Sequence, residues 1–454
     1  MASISEFFGV RQRGSTLSRE VIGGVTIFMA LSYIIFVQPA MMSDAGVPFA
    51  GAFVATCVAS ALACVLMGLL ANYPIALAPA MGHNAFFTYV VVMQLGFSWQ
   101  AALAAVFIGG AVFVGLSFFG FRAKIMEFIP DTLKRGIAGG IGLLITLIGF
   151  EYGGIIVGHK ATGITFASDL VQPVPLLALC GLILTLVLIA KGVRGAVLLG
   201  IAGTVALGLI MTLAGVPVLN LELQHYETLD ISGSFFALDV AELVSTKGFL
   251  TVILTFLFLD VFDTVGTLVG VGERAGLLDE QGRLPRARWA LFSDACGTVV
   301  GAVFGTSTVT SYVESAAGVQ AGARTGFANL VTGALFLLSI AIYPILGVVA
   351  SSHVYEGPEG AFQIIQYPVL APALIVVGAM MLKSLAKLKW DDPTEYLPAF
   401  LTIVVIPLAL SITDGIAFGF ISYSVLKLIT GRVKEAHWGF HLISVLLILR
   451  YMFL

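Results

Sequence analysis

The sequence predicts an all-α polytopic membrane protein built from two inverted repeats, each with seven transmembrane segments. Three observations carry that prediction. Of 454 residues, 59% are hydrophobic and only 11% charged, and the mean hydropathy is +1.02. Soluble globular chains do not have such a composition. Two apolar segments, one in each half, are interrupted by Gly, Pro and hydroxyl residues. Basic residues also gather on one side of an alternating topology.

A bilayer crossing takes roughly 20 mostly apolar residues, and the chain supplies crossings in order. Val21–Gln38 is first, closed by Pro39, and Ala50–Ala71 is second. The third is broken. Its Asn72–His83 lead-in contains Pro74 and Pro79, poor helix-interior residues, and leaves Asn84–Leu95 as a half-length helix. Ala101–Phe119, the Gly-rich Gly136–Phe150, Gln172–Ala190 and Gly195–Gly215 complete the first repeat, residues 1–215. Residues 216–246 carry Glu222, Glu227, Asp230, Asp239 and Glu242 without Lys or Arg up to Thr246, and read as an extracytoplasmic connector.

Residues 247–454 repeat the layout. Lys247–Val271 and Trp289–Phe304 are long spans. A broken Gly305–Ser311 lead-in precedes the short Tyr312–Val319. Thr325–Ala350, Tyr367–Leu385, Tyr396–Ile412 and Gly415–Thr430 follow. His437–Leu454 is a further apolar stretch that contains His441 and Arg450 and is not counted as a span.

Charge tests this count. With the N-terminus cytoplasmic, alternation places all 23 basic residues except Lys160, Lys247 and Arg450 in cytoplasmic loops, the bias a correct topology shows. An odd number of spans per half makes the halves enter from opposite faces, the build of alternating-access carriers. Residues 1–20 lack the apolar core of a signal peptide, so a multi-pass protein of the cytoplasmic (inner) membrane is expected. The net charge of −3 gives no reason to expect a nucleic-acid partner. Cys57, Cys64, Cys180 and Cys296 have no metal-ligand spacing and read as small core residues.

Polar groups inside apolar spans are expensive and mark substrate or ion paths. His83 and Asn84 sit at the start of the broken third helix, where free N–H groups could bind a carbonyl or anionic edge; the plainer role for Asn84 is a helix cap. Asp260 and Asp263, three apart, share one helix face with Thr264 and Thr267. Two close carboxylates in low dielectric cannot both stay ionised cheaply, which suits proton coupling. Glu314 lies among Thr306, Ser307, Thr308, Thr310 and Ser311 with no Lys or Arg in its span. Paired carboxylates suit a flat heterocycle rich in N–H donors, and Phe86, Phe87 and Tyr312 could stack on its ring, although such aromatics are more often core. The acidic Trp390–Pro398 run and Asp414 read as a solvated cap. No phosphate-cradling loop, zinc-type helix or nucleophile elbow is present. Direct ATP coupling and hydrolase chemistry are therefore not expected, and neither is any cofactor beyond a proton gradient.

Five stretches carry a family resemblance: Ser18–Ile35, Ala78–Phe87, Asp260–Thr267, Gly305–Gly318 and Ile412–Tyr423. In them the chain resembles the AzgA-like purine permeases of the nucleobase–ascorbate transporter superfamily. It departs at His83, where the family has Leu or Val. The resemblance implies a 7+7 fold with core and gate domains and short extended strands before the third and tenth helices. It implies proton-coupled import of hypoxanthine, guanine or adenine, with Asn84, one or both of Asp260 and Asp263, and Glu314 at the substrate. It favours Asp263 over Asp260 as the binding acid, with Thr267 beside it. Thr310, Tyr312, His83 and Phe86 complete the substrate set, and Asp260, Asp263 and Glu314 are the proton-coupling candidates. A homodimer through the gate domain is also implied. The alternatives are a uracil or xanthine carrier, or an anion exchanger or channel on the same fold. The latter would want a basic central residue.

Overall fold

In a computed structural model the chain is mostly helical, and residues 4–118, 130–159, 163–279, 284–356 and 363–453 are described. Arg122, Lys124, Lys160 and Arg283, used above to set the topology, lie outside the described residues.

Helices α1 (Leu17–Leu31), α2 (Ile34–Asp44) and α3 (Phe49–Leu66) open the chain. A one-turn π-helix, Met67–Ala71, leads to strand β1 (Leu77–Pro79), helix α4 (Met81–Ala85) and a π-helical Phe86–Gln94. Next come α5 (Trp99–Phe118), α6 (Asp131–Tyr152), the hairpin β2 (Ile156–His159)–β3 (Gly163–Phe166), α7 (Pro173–Ala190) and α8 (Ala196–Leu213). The second half runs α9 (Phe249–Arg274), α10 (Ala287–Phe304), β4 (Val309–Ser311), α11 (Ser315–Gln320), α12 (Phe327–Leu338) and α13 (Tyr343–Val349). The hairpin β5 (His353–Glu356)–β6 (Gln363–Gln366) precedes α14 (Ala371–Met381), α15 (Pro393–Leu408), α16 (Ile412–Ile429) and α17 (Trp438–Phe453).

The expected order of spans is present. Eight helical runs among the described residues are long and apolar enough to cross a membrane. The broken third and tenth segments are short helices behind strands, as anticipated. Three details differ. The first span does not stop at Pro39: the chain bends at Ser32–Tyr33 and α2 continues through the proline to Asp44. Two further hairpins, β2–β3 and β5–β6, form outside the spans. Cys180 is exposed, whereas Cys57 and Cys64 are buried.

The chain divides into two compact units. Met1–Phe118 with Gly149–Ala373 make the first, and Phe119–Ile148 with Leu374–Leu454 the second. Glycine sets the helix spacing in the first. A Cβ on Gly326 would lie 2.1 Å from the Gly68 carbonyl oxygen, and one on Gly24 would lie 2.4 Å from Ala328 O. Small residues at such crossings replace hydrophobic driving force with backbone-to-backbone packing. Asn72 ties the N-terminal segment to the start of α12: its Nδ2 donates to Phe8 O (2.9 Å) and its Oδ1 accepts from Gly326 N (2.7 Å).

In the second unit, α15, α16 and α17 pack in sequence. Lys427 is fully buried and pairs with Glu395 (2.8 Å) and Glu435 (2.7 Å). Thr132 Oγ1 donates to Glu395 (2.5 Å). Arg432 binds both Asp392 (2.8 Å) and Glu435 (2.7 Å).

Candidate substrate site

The two broken segments meet. β1 and β4 run antiparallel, with Leu77, Ala78 and Pro79 opposite Ser311, Thr310 and Val309. Main-chain bonds extend the pair at both ends: Ala80 N donates to Thr308 O and Tyr312 N to Ala76 O, each at 3.0 Å. Irregular backbone at membrane depth needs such pairing, because lipid offers no substitute. The sequence favours extension here. Pro74 and Pro79 resist helix, and Thr306, Thr308, Val309 and Thr310 are β-branched. Neighbours complete the satisfaction: Ser315 Oγ accepts from Ala76 N (3.0 Å), and Thr298 Oγ1 donates to Val309 O (3.0 Å). Gly297 and Gly301 on α10 admit Val309, whose methyls lie 3.1 and 3.0 Å from the Cβ positions those glycines leave empty.

The acids converge on this crossing. Asp263 lies midway along α9, and Thr310 Oγ1 on β4 donates to its Oδ2 (3.3 Å). Asp263 is exposed although Thr264 and Thr267 beside it are buried. Glu314, at the head of α11, is half-buried and close enough to Asp263 for their charges to interact. Its Oε2 is buried without a hydrogen-bond partner among the described residues. Asp260 is 2% exposed and accepts from Thr264 Oγ1 (3.4 Å). The two aspartates thus have different surroundings, and Asp263 is the one facing open space and β4. Thr267 is buried one turn further along α9.

The opposite wall comes from the first half. Asn84 in α4 is fully buried; its Oδ1 accepts from Ser307 Oγ, and its Nδ2 has no partner among the described residues. Gln38 Nε2 donates to Thr306 Oγ1 (2.8 Å) and Ser307 Oγ (3.4 Å), completing a chain Gln38–Ser307–Asn84. His83 Nε2, Thr308 Oγ1 and the Tyr33 hydroxyl are also buried and unpartnered among the described residues. Such atoms are rare in finished cores, and six of those among the described residues lie in the segments around this one crossing. Tyr312 is buried, its hydroxyl donating to Pro79 O. Phe86 is buried in an edge-to-face contact with Phe256 (4.9 Å between centroids).

Sequence reading missed several members. Asp294 on α10 is fully buried. Its Oδ1 accepts from Ser311 N (3.0 Å) and Ser311 Oγ (3.1 Å), and its Oδ2 from Thr264 Oγ1 (2.7 Å). It fastens β4 to α9 and so sets the Thr310–Asp263 contact. The signal was available, since an Asp inside an apolar span is informative by itself. Tyr33 and Gln38 were hidden inside the apolar run of the first span. Asp44 accepts hydroxyl bonds from Tyr152 (2.6 Å), Tyr367 (3.2 Å) and Tyr89 (3.3 Å), a cluster no spacing rule reveals.

Comparison with known proteins agrees with this architecture. A family model described as "Permease family" matches residues 18–418. The guanine/hypoxanthine permease PbuG of Bacillus subtilis is 44% identical over 457 aligned residues, covering 99% of each chain. The adenine permease AdeP of Escherichia coli is 38% identical over 458, covering 99% of this chain and 96% of the relative. Among solved structures, the transmembrane domain of the cyanobacterial bicarbonate transporter BicA superposes with a TM-score of 0.62 at 15% identity, covering 89% of this chain and 97% of that one. That likeness shows the 7+7 inverted-repeat fold.

Proposed function

The chain belongs to the permease family, in its AzgA-like purine branch, and on that premise we propose that it imports purine nucleobases together with protons. It is a multi-pass membrane transporter and not an enzyme. The observation that carries the reading is the pair Asp263 and Glu314, close enough for their charges to interact, with buried polar atoms around it that make no bond among the described residues. A purine presents ring N–H donors on one edge and a carbonyl or ring nitrogens on another. Glu314 and Asp263 accept the N–H groups, and Asn84 Nδ2 donates to the acceptor edge. His83 Nε2 and Thr308 Oγ1 remain to read the substituents that distinguish one purine from another.

Proton coupling follows from the same pair. Two carboxylates this close in low dielectric hold a shared proton readily, and a neutral ligand does not relieve their repulsion. Loading proton and base together makes the occupied carrier less charged than the empty one, which favours its movement. A membrane potential of 100 mV supplies about 2.3 kcal/mol per charge moved. Alternating access, a cytoplasmic N-terminus set by the basic loops, and a homodimer through the gate domain belong to the same proposal.

An anion exchanger on the same fold is the rival. It would want a cation at the crossing, and the described span from Gly305 to Ala323 has no Lys or Arg. The test is Glu314→Gln in cells assayed for accumulation of radiolabelled hypoxanthine. Losing a charge-assisted bond of about 1.5–3 kcal/mol weakens binding roughly ten- to 150-fold and uncouples uptake from the proton gradient. Accumulation at the wild-type level by that variant would remove Glu314 from the mechanism.

A further inference from the structure

Away from the β1–β4 crossing, the first unit contains a recess of about 430 Å³ that neither the purine reading nor the family match accounts for. Arg13 enters it from the N-terminal segment, Arg286 from the residue before α10, and Arg324 from the turn before α12. Tyr73, just after the π-turn of the second span, lines it as well. Among the described residues no Asp or Glu lines the recess and none pairs directly with the three guanidiniums; the carboxylate beside it is the fully buried Glu20, spent on Arg324 N (2.9 Å) and Thr325 N (3.2 Å), whose charge still acts on Arg13. Three cations around one cavity, with Glu20 as the one acid acting on Arg13, repel one another. Burial, and next the charge on Arg286, hold the Arg13 guanidinium below its ordinary value, with Tyr73 and Glu20 opposing the shift in part.

Two of the three cations are also held in place. Arg13 Nη1 donates to Asn72 O (2.8 Å) and Arg324 O (3.1 Å). Arg324 Nη1 donates to Val319 O (2.6 Å) and Ala323 O (2.7 Å). Each guanidinium has five N–H groups, so these bonds orient two forks and leave further donors for a ligand. The Tyr73 side chain is only 2% exposed, and its hydroxyl oxygen accepts from Arg286 N (2.9 Å). Its own hydrogen has no acceptor among the described residues. A buried phenol with its hydrogen unspent, beside two oriented forks and an Arg286 guanidinium without a bond among the described residues, is a second sign, independent of the charge, that a ligand completes this cavity.

We propose that this recess binds a phosphate group, clasped by Arg13, Arg286 and Arg324 with the Tyr73 hydroxyl as a further donor. Planar, bidentate forks match the oxygens of a phosphate, and a phosphate monoester carries close to two negative charges at neutral pH. The cavity has room for the phosphate and a small organic remainder. Its position gives the ligand an effect on transport. Ala275–Leu277, in its wall, terminate the helix that carries Asp263, and Arg324 follows the helix headed by Glu314. Occupancy ties together the ends of both acid-bearing helices, which makes the recess an effector site. The phosphate belongs either to an acidic lipid headgroup or to a soluble ester.

The test uses purified full-length protein, followed by thermal unfolding at constant ionic strength. Inorganic phosphate and glycerol 3-phosphate are titrated in neutral detergent against chloride. In parallel, nanodiscs of phosphatidylcholine are compared with discs containing phosphatidic acid. A saturable rise in melting temperature with the soluble probes supports the proposal and identifies a soluble ligand. A rise confined to phosphatidic acid supports it and identifies a lipid. Arg286→Gln is the deciding variant, because that guanidinium makes no side-chain bond among the described residues and its loss leaves the fold intact. It should weaken the response about tenfold or more, the loss of one bidentate pair. Arg13→Gln should do the same while lowering the starting melting temperature. Glu314→Gln should leave the phosphate response unchanged, which separates this site from the proposed nucleobase site. No stabilisation by any probe, or an Arg286→Gln response equal to wild type, overturns the proposal.

Discussion

Replacing Asp294 by alanine tests whether a buried acid outside the proposed substrate contacts holds the crossing together. The side chain is fully buried and accepts three bonds, from Ser311 N (3.0 Å), Ser311 Oγ (3.1 Å) and Thr264 Oγ1 (2.7 Å). Alanine removes every acceptor. The Thr264 hydroxyl can turn fully to Asp260 Oδ1, already 3.4 Å away. The Ser311 amide cannot turn, and an unsatisfied buried donor costs about 1–3 kcal/mol. Exchange of the short Thr264 bond for the longer one to Asp260 adds about 0.5–1.5 kcal/mol. The sum, about 1.5–4.5 kcal/mol, should appear as a lowered melting temperature of the purified protein. Asp294→Asn keeps one acceptor for Ser311 and offers an amide that the Thr264 hydroxyl can accept, so its melting temperature should fall much less. Both variants should weaken nucleobase binding, because β4 carries the Thr310 partner of Asp263. An Asp294→Ala protein that melts like wild type would refute the argument that this carboxylate fastens β4 to α9.

Two further predictions concern packing and charge. Gly326→Ala places a methyl 2.1 Å from the Gly68 carbonyl oxygen and 2.6 Å from its Cα, both backbone atoms; the overpacking should cost about 1–3 kcal/mol, measured as reduced thermal stability, and a neutral result would mean that the Met67–Ala71 turn and the start of α12 separate freely. In the second unit, the Arg432 fork holds the Asp392 carboxyl well below its ordinary range and Glu435 down to about 2. Depressed values stabilise the fold above the ordinary carboxylate range and lose that contribution as pH falls toward 2. Acid titration followed by near-ultraviolet circular dichroism should show a transition between roughly pH 4.5 and 2 that Arg432→Gln diminishes; identical acid profiles would dismiss the cluster as a stabilising element.

Much of the fold was legible because the bilayer restricts backbone choices. Apolar run lengths and basic loops specified the order of spans, and the Pro, Gly and hydroxyl residues of Ala78–Phe87 and Gly305–Gly318 showed where helices break. Asp263 and Glu314 were legible for the same reason: a carboxylate in an apolar run has few innocent explanations. Asp294 met that criterion too and was passed over because no second acid or Gly break stood next to it. Tyr33 and Gln38 could not be seen, since their roles depend on which face of a gently bent first span meets β4. Pro39 was misread as a terminus; the bend falls at Ser32–Tyr33, and a missing N–H inside α2 is tolerated where neighbours enclose it. The β2–β3 and β5–β6 hairpins are too short for their period to rise above the apolar background.

The antiparallel pairing of Leu77–Pro79 with Val309–Ser311 has a consequence for biogenesis. The first strand leaves the ribosome long before its complement, which is encoded over two hundred residues later. Until then its amides and carbonyls have no mate in lipid, at several kcal/mol for each unmet group. A nascent chain must therefore park that stretch in water, against the insertion machinery, or in a provisional helix. Release of a chain truncated before residue 300 would strand it there, making half-length products targets for membrane proteolysis.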